Sequence, residues 1–234
     1  MEKITYIVAN YNNSEFIGQC ITSLLKQTSD RWMCVICDDC SDDDSLSIIY
    51  GLVENDERFT VIKNDTRTKY TGTLKKLIDV STTDIVGVLD SDDALTNDAT
   101  DEILKSYDNG YKGFVYSNYW HCEIDLIPVR PGYCRKIPDG KSNIQCDCVS
   151  HLKTFRRDEY YKTDGYDSEI VYAQDKDLTY KMEEVTELHF INKPLYLHRH
   201  KDKGRSTVPY VKISQSNAIN RRKDPSYGNR KFNR

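Results

Sequence analysis

Asp90, Asp92 and Asp93 stand together where the apolar run Ile85-Val86-Gly87-Val88-Leu89 ends. Like charges side by side repel, so a buried strand that delivers these carboxylates to one place needs an opposing charge. A hard divalent cation supplies it most simply, because Mg²⁺ typically sits on one or two carboxylates plus substrate phosphates. Acids at the carboxyl end of a strand in an open α/β sheet also lie where such folds bind ligands. These residues point to a metal-assisted enzyme acting on a phosphorylated substrate, with a nucleotide as the expected kind.

A second acidic group, Asp38-Asp39 and Asp42-Asp43-Asp44, follows the apolar run 32–37. Asp42, Asp43 and Ser45 are expected to cap the helix that comes next, where acids also favour the helix dipole. Asp39, at the strand end itself, is expected to meet a ligand. Tyr11 lies among Asn10, Asn12 and Asn13, a loop composition that lets a strand-end aromatic face a ligand rather than the core. Asp175 and Asp177 open a late helical stretch, where first-turn acids are ordinary. Lone histidines are more often structural than functional, and that is the reading for His121, His151 and His189. Cys34-x-x-Cys37-x-x-Cys40 has a zinc-like look, with Cys146-Asp147-Cys148 as the nearest second pair. Residues three apart on a strand point to opposite faces, so these cysteines are read as free thiols.

The elements that must position these groups follow from periodicity. Residues 4–9, 32–37, 59–62 and 85–89 read as strands. Between them, helical spacing runs through Phe16, Ile17, Cys20, Ile21, Leu24 and Leu25, with Ser14 as the expected cap. It recurs through Leu46, Ile49, Leu52 and Val53, and through Leu74, Leu77, Ile78 and Val80. Strands alternating with helices imply parallel pairing and right-handed crossovers, so residues 1–110 form a nucleotide-binding α/β half. Residues 111–204, the acceptor half, are less regular. A strand is expected at 113–119, and the Pro- and Gly-rich stretch 125–150 reads as loops or an antiparallel hairpin. A short helix is expected at 175–182, a strand at 188–197 broken by Pro194, and a short helix near 211–221. Residues 205–234 form a basic extension.

Of 234 residues, 38% are hydrophobic and 30% charged, which is polar but globular. The net charge of −4 does not carry the footprint of a nucleic-acid binder. No apolar stretch approaches the ~20 residues a membrane span needs, and the start of the chain does not resemble a signal peptide. A cytoplasmic, reducing location is expected, with peripheral contact to a membrane surface left open by the basic extension.

Five motifs now fall in order: Ile7-Val8-Ala9-Asn10-Tyr11-Asn12, Val35-Ile36-Cys37-Asp38-Asp39-Cys40-Ser41-Asp42, Leu89-Asp90-Ser91-Asp92-Asp93, Tyr172-Ala173-Gln174-Asp175-Lys176-Asp177-Leu178, and Pro194-Leu195-Tyr196-Leu197-His198-Arg199-His200. Each sits at an expected strand end or helix start. Over residues 3–205 this order resembles the inverting family 2 glycosyltransferases of the GT-A fold, whose patterns are T-x-Y-N, V-D-D-x-S-x-D, D-x-D-D, E-D-x-D-L and a Y-R-x-H-like element. The resemblance implies a single Rossmann-like α/β domain over 1–204. Its mostly parallel central sheet is flanked by helices and has a small antiparallel portion on the acceptor side.

By that resemblance, Ala9 and Tyr11 lie at the donor's base, with Tyr11 packing on it. Asp39 accepts the base N3–H, which fits UDP, and Asp38 supports the loop. Asp90 and Ser91 lie toward the ribose, Asp92 is the main ligand of Mn²⁺ or Mg²⁺, and Asp93 supports it. His200 completes the metal–diphosphate site, or His198 holds that role instead. Asp175 is the base that takes the proton of an acceptor hydroxyl, on a glycan or another molecule, while the metal neutralises the departing diphosphate. Asp167 is a candidate on the acceptor side.

The chain departs from the pattern in places. Ala9 replaces a Thr or Ser, and Gln174 replaces the acid before the base, so the Asp175 carboxyl is expected to be raised less than in an acid pair. His198 stands where an aromatic is usual. Arg67 and Lys69 are both candidates to touch base or phosphate. Two other functions compete: a sugar-nucleotide nucleotidyltransferase, and a non-catalytic nucleotide- or glycan-binding module. The first is disfavoured because Asn10–Ser14 carries no Gly or basic residue. The second is disfavoured because Asp90, Asp92 and Asp175 are all intact.

Overall fold

The structure, a computed structural model, describes residues 1–170, 173–200 and 208–223. Strands β1 (Ile4–Asn10), β2 (Trp32–Asp38), β3 (Phe59–Lys63) and β4 (Ile85–Val88) are parallel, and β1 lies between β2 and β4. β4 is buried along its whole length, and β1 and β2 nearly so, as expected of strands covered on both faces. β3 is only half buried because it forms the sheet's edge. Gly87 in β4 has a packing reason: a Cβ there would stand 2.9 Å from the Tyr6 ring on β1.

Helices α1 (Ile17–Leu25), α2 (Ser45–Val53), α3 (Lys69–Val80) and α4 (Ala99–Asp108) alternate with the strands. α1 buries Ile17, Cys20, Ile21 and Leu24, the i, i+3, i+4, i+7 stripe that faces a core. The expected caps differ. Phe16, not Ser14, occupies the cap position of α1, and Asp44 that of α2, neither with a side-chain cap bond. Asp43 instead bridges the two helix starts: its carboxylate accepts from Ser14 N at 2.8 Å and Ser45 N at 2.9 Å. Asp42 likewise pairs with Asn12. A carboxylate with two acceptor oxygens can join two loops, which a capping hydroxyl does less strongly.

Beyond β4 the sheet changes direction. β8 (Lys153–Arg156) inserts antiparallel between β4 and β6 (Phe114–Cys122), which pairs parallel with β9 (Leu188–Arg199). β5 (Ala94–Leu95) closes the far edge against β9, and β7 (Pro128–Pro131) makes an antiparallel hairpin with β6. Pro194 does not break β9, because register shifts at Ser117, Asn118 and Tyr119 on β6 absorb it. Helices α5 (Asn143–Cys146), α6 (Arg157–Tyr160), α7 (Gln174–Val185) and α8 (Val208–Lys223) complete the chain, α8 packing on α7. Among the described residues no helix is long and apolar enough to cross a membrane. All eight cysteines are free thiols, and Cys34 and Cys37 are buried in β2. Of the basic extension, 208–223 form α8, and 205–207 and 224–234 lie outside the described residues.

Candidate active site

Parallel β1, β2 and β4 end at the same edge of the sheet, and there they deliver Asn10, Asp38 and, just beyond Leu89, Asp90. Asp38 is fully buried and its carboxylate is taken up by Asn10 Nδ2 at 2.9 Å, Ser41 N at 3.0 Å and Ser41 Oγ at 2.6 Å. It therefore holds the loop, which leaves Asp39 as the acid that lines a cavity of about 380 Å³. Asp39 Oδ1 is anchored by Asn64 Nδ2, Thr68 N and Thr68 Oγ1 at 2.7–3.0 Å. Burial pushes this carboxyl up, but the donors of Thr68, Asn64 and Lys69 outweigh it and hold it below the usual carboxylate value.

Ala9, Tyr11, Ser91 and Asp92 line the same cavity. Arg67 does too, its guanidinium 3.5 Å from the Tyr11 ring centroid; Lys69 is exposed at the start of α3. Asn13 Nδ2 donates to Ser91 Oγ at 3.0 Å, tying the Tyr11 loop to the acidic turn.

The acidic turn splits its side chains. Asp90 reaches the cavity and accepts from Tyr70 Oη at 2.5 Å. Burial first, and Asp92 second, push its carboxyl up. Asp93 points the other way, only 3% exposed, accepting from Tyr196 Oη at 2.8 Å and Arg199 N at 2.7 Å. Arg199 fastens the turn from beneath: Nε donates to Asp92 O at 2.6 Å and a terminal nitrogen to Gln19 Oε1 at 2.6 Å.

A second cavity of about 370 Å³ adjoins the first and shares Tyr70 and Asp90 with it. Asp175, in the first turn of α7, lines it together with Lys153, Lys176, Tyr166, His151 and His198. Lys153 Nζ lies 3.4 Å from Asp175 Oδ2. Burial pushes the Asp175 carboxyl up, but Lys153 and then Lys176 overcome it, so the net direction is down. The sequence expectation of a modestly raised carboxyl does not hold, because two lysines stand where only a missing acid was anticipated. Asp177 is buried and ion-paired to Lys181 at 2.7 Å, a structural role. Lys176 donates to Tyr133 Oη at 2.8 Å, Asp147 at 2.5 Å and Val149 O at 2.6 Å, which pins the 133–149 loop to the start of α7.

His198, not His200, lines the second cavity. It stacks on His151, with ring centroids 5.2 Å apart, and its buried Nδ1 has no hydrogen-bond partner among the described residues. Burial holds this imidazole below its ordinary value, which favours its neutral form. His200 is exposed just past β9 and its N–H donates to Cys122 O. Asp167 caps its own turn through Glu169 N at 2.9 Å, whereas its neighbour Tyr166 lines the cavity. Tyr70 and Lys153 carried no sequence signal as site residues, and Tyr196 and Arg199 stood in the fifth motif without an assigned role. Their only hint was a polar or charged residue in an otherwise buried strand or helix.

Among the described residues, no three His, Cys, Asp or Glu side chains lie close enough to enclose a metal by themselves. The groups nearest to such a role are Asp92, which lines the first cavity, and His198, which lines the second.

The sequence model of Glycosyl transferase family 2 matches residues 5–164. Among curated proteins, a chondroitin synthase of Escherichia coli is 27% identical over 195 residues, covering 82% of this chain and 28% of that protein. An Escherichia coli UDP-Glc:alpha-D-GlcNAc-diphosphoundecaprenol beta-1,3-glucosyltransferase, WfaP, is 30% identical over 127 residues, covering 54% of this chain and 49% of that one. The chain thus spans under a third to about half the length of these relatives. Among solved structures, S. aureus TarS 1-349 in complex with UDP-GlcNAc superposes with a TM-score of 0.78 at 18% identity, covering 97% of this chain and 69% of that one. A mannosyltransferase from Pyrobaculum calidifontis, in complex with GDP-Man and Mn2+, gives 0.64 at 16% identity, covering 93% and 61%. The fold is the GT-A fold that these structures share.

Proposed function

The chain belongs to glycosyl transferase family 2, and on that premise we propose that it moves a sugar from a UDP-sugar to an acceptor hydroxyl with inversion at the anomeric carbon. The observation that carries this reading is the junction of the two cavities at Tyr70 and Asp90. A nucleotide seated between Tyr11 and Asp39 would run its diphosphate past Asp90 and Asp92. Its sugar would then enter the cavity that Asp175 lines.

In this reading the Tyr11 ring stacks on the base and Asp39, already ionised and anchored, accepts the uracil N3–H. Ser91 and Asp90 face the ribose. Asp92 and His198 would hold a divalent cation, Mn²⁺ or Mg²⁺, which supplies charge neutralisation at the diphosphate when bound. His198 takes this place rather than His200 because it faces the carboxylates. Asp175 accepts the proton of the acceptor hydroxyl as that oxygen bonds to the anomeric carbon, and the bond to UDP breaks with its electron pair leaving on the diphosphate. A base on a separate helix, away from the acidic turn, suits attack on the face opposite the leaving group. Tyr166 and His151 line the space an acceptor would enter.

Calorimetric titration of UDP, GDP and CMP, with Mn²⁺ and with chelator, tests this reading. Metal-dependent binding of UDP alone is the expected result. Absence of binding by every nucleotide to demonstrably folded protein would overturn it and favour a non-catalytic module.

A further inference from the structure

Three buried lysines lie on or against α7, and they are not equivalent. Lys176 has three oxygen partners, and Lys181 has Asp177 and Gly165 O. Both act as locks between loops and the helix. Lys153 sits on β8 in the middle of the sheet, in register with Val88 on β4 and Tyr116 on β6, and is 5% exposed. Among the described residues its ammonium has one hydrogen-bond acceptor, Asp175 Oδ2 at 3.4 Å. Burying an ammonium is costly unless it is well paired, and a single long contact is poor compensation. This cation also opens onto the cavity shared by Asp90 and Asp175.

We infer that Lys153 is a positioning residue for sugar transfer: its ammonium keeps the Asp175 carboxylate ionised and directed into the cavity before the acceptor arrives. The role rests on the reading of Asp175 as the base. It balances simply, since the proton passes from the acceptor hydroxyl to Asp175 and Lys153 keeps its own protons throughout. Among the described residues, the titratable groups around Asp175 are Lys153 from β8, Lys176 and Tyr180 from α7, Asp90 from the acidic turn, Tyr70 from α3, Tyr166 from the loop before α7, and the imidazoles of His151, before β8, and His198, on β9, which line the same cavity. Asp90 opposes ionisation of Asp175; of the two lysines, Lys176 is spent on the 133–149 loop, so Lys153 provides the adjustable opposing charge. The arrangement exchanges some basicity for a base that is ready at lower pH.

The test is a pH titration of ¹³C-aspartate-labelled protein by NMR, with the Asp175 carboxyl resonance identified by its loss in Asp175→Asn. The Asp175 midpoint is expected to move up in Lys153→Met and in Lys153→Gln, and to stay near wild type in Lys153→Arg. The Gln variant serves if the Met variant does not fold. UDP release from UDP-GlcNAc or UDP-glucose supplies the second readout. The acid limb of kcat/KM should move up with the NMR midpoint, and the lost rate should return at high pH. An unmoved midpoint overturns the inference whatever the rates do. A moved midpoint with an unmoved limb, or a KM raised equally at all pH values, overturns the role in transfer and marks Lys153 as structural or as a binder of substrate charge. Turnover surviving in Asp175→Asn would sink the base assignment instead, leaving the NMR shift standing.

Discussion

The Arg67 guanidinium lies 3.5 Å from the centroid of the Tyr11 ring, at the mouth of the cavity that Asp39 lines. A cation in contact with that face leaves no gap for a nucleobase between them, so a base stacking there takes the guanidinium's place. Stacking of a base on an aromatic ring is worth about 1–3 kcal/mol. Tyr11→Ala should therefore weaken UDP binding by about fivefold to a hundredfold on that scale, and Tyr11→Phe should be nearly neutral. Calorimetry reads both, and equal affinities for all three proteins would remove Tyr11 from the base site.

Asp175→Asn keeps the side chain's shape and removes its capacity to take a proton. Loss of a general base typically costs about 10²–10⁴-fold in rate. UDP affinity should stay at the wild-type level, because Asp175 lines the second cavity and not the first. Parallel rate and binding assays separate these effects.

Lys176→Met leaves Asp147, Tyr133 Oη and Val149 O without their shared donor. Asp147 is 45% exposed and can turn to water, so the cost is set mainly by the lost buried bonds. We expect about 1–3 kcal/mol of destabilisation, which lowers the thermal midpoint by about 2–4 °C per kcal/mol for a chain of this size. An unchanged midpoint would mean that the 133–149 loop is held by other contacts.

Asp43 provides a pH-dependent term. Burial raises its carboxyl, but the hydroxyl and amide donors of Ser45 and Ser14 prevail and bring it down to about 2. A carboxyl depressed on folding contributes stability that is fully present above its unfolded value, about 3.9. That contribution fades as pH falls from there through about 2. Asp43→Ala should show a flatter acid limb in chemical denaturation between those values, with the two proteins converging at the acid end. A parallel displacement of the two curves would assign the Asp43 effect to packing instead.

Gly87→Ala places a methyl 2.9 Å from the Tyr6 ring, which is fully buried and bonded through its hydroxyl to Thr100 Oγ1 at 3.1 Å. The ring cannot withdraw freely, so overpacking should cost about 1–3 kcal/mol. Urea unfolding measures it, and a neutral result would show that β1 and β4 can part at this point.

What the sequence determined by itself was the set of strand ends and their acids. Continuous apolar runs fix which residues leave the core together, and that local fact places Asp39, Asp90 and Asp92 at one edge. The order of the motifs was equally legible, and with it the family. The tertiary structure decided which way each group faces. Asp92 and Asp93 are neighbours, yet one lines the cavity and the other is buried against Tyr196 and Arg199. His198 and His200 would share a face on a continuing strand, but β9 ends at Arg199, and of the two only His198 lines the cavity with Asp90 and Asp175. Lys153 could not be assigned because β8 is a four-residue strand whose antiparallel place between β4 and β6 depends on pairing over long chain separations. The ionisation of Asp175 followed the same rule. Its neighbours along the chain suggested a carboxyl pushed up a little, while a lysine 22 residues away, brought to 3.4 Å by the sheet, helps to hold it down. Electrostatics depends on distance in space, and a strand register that local sequence does not encode sets that distance.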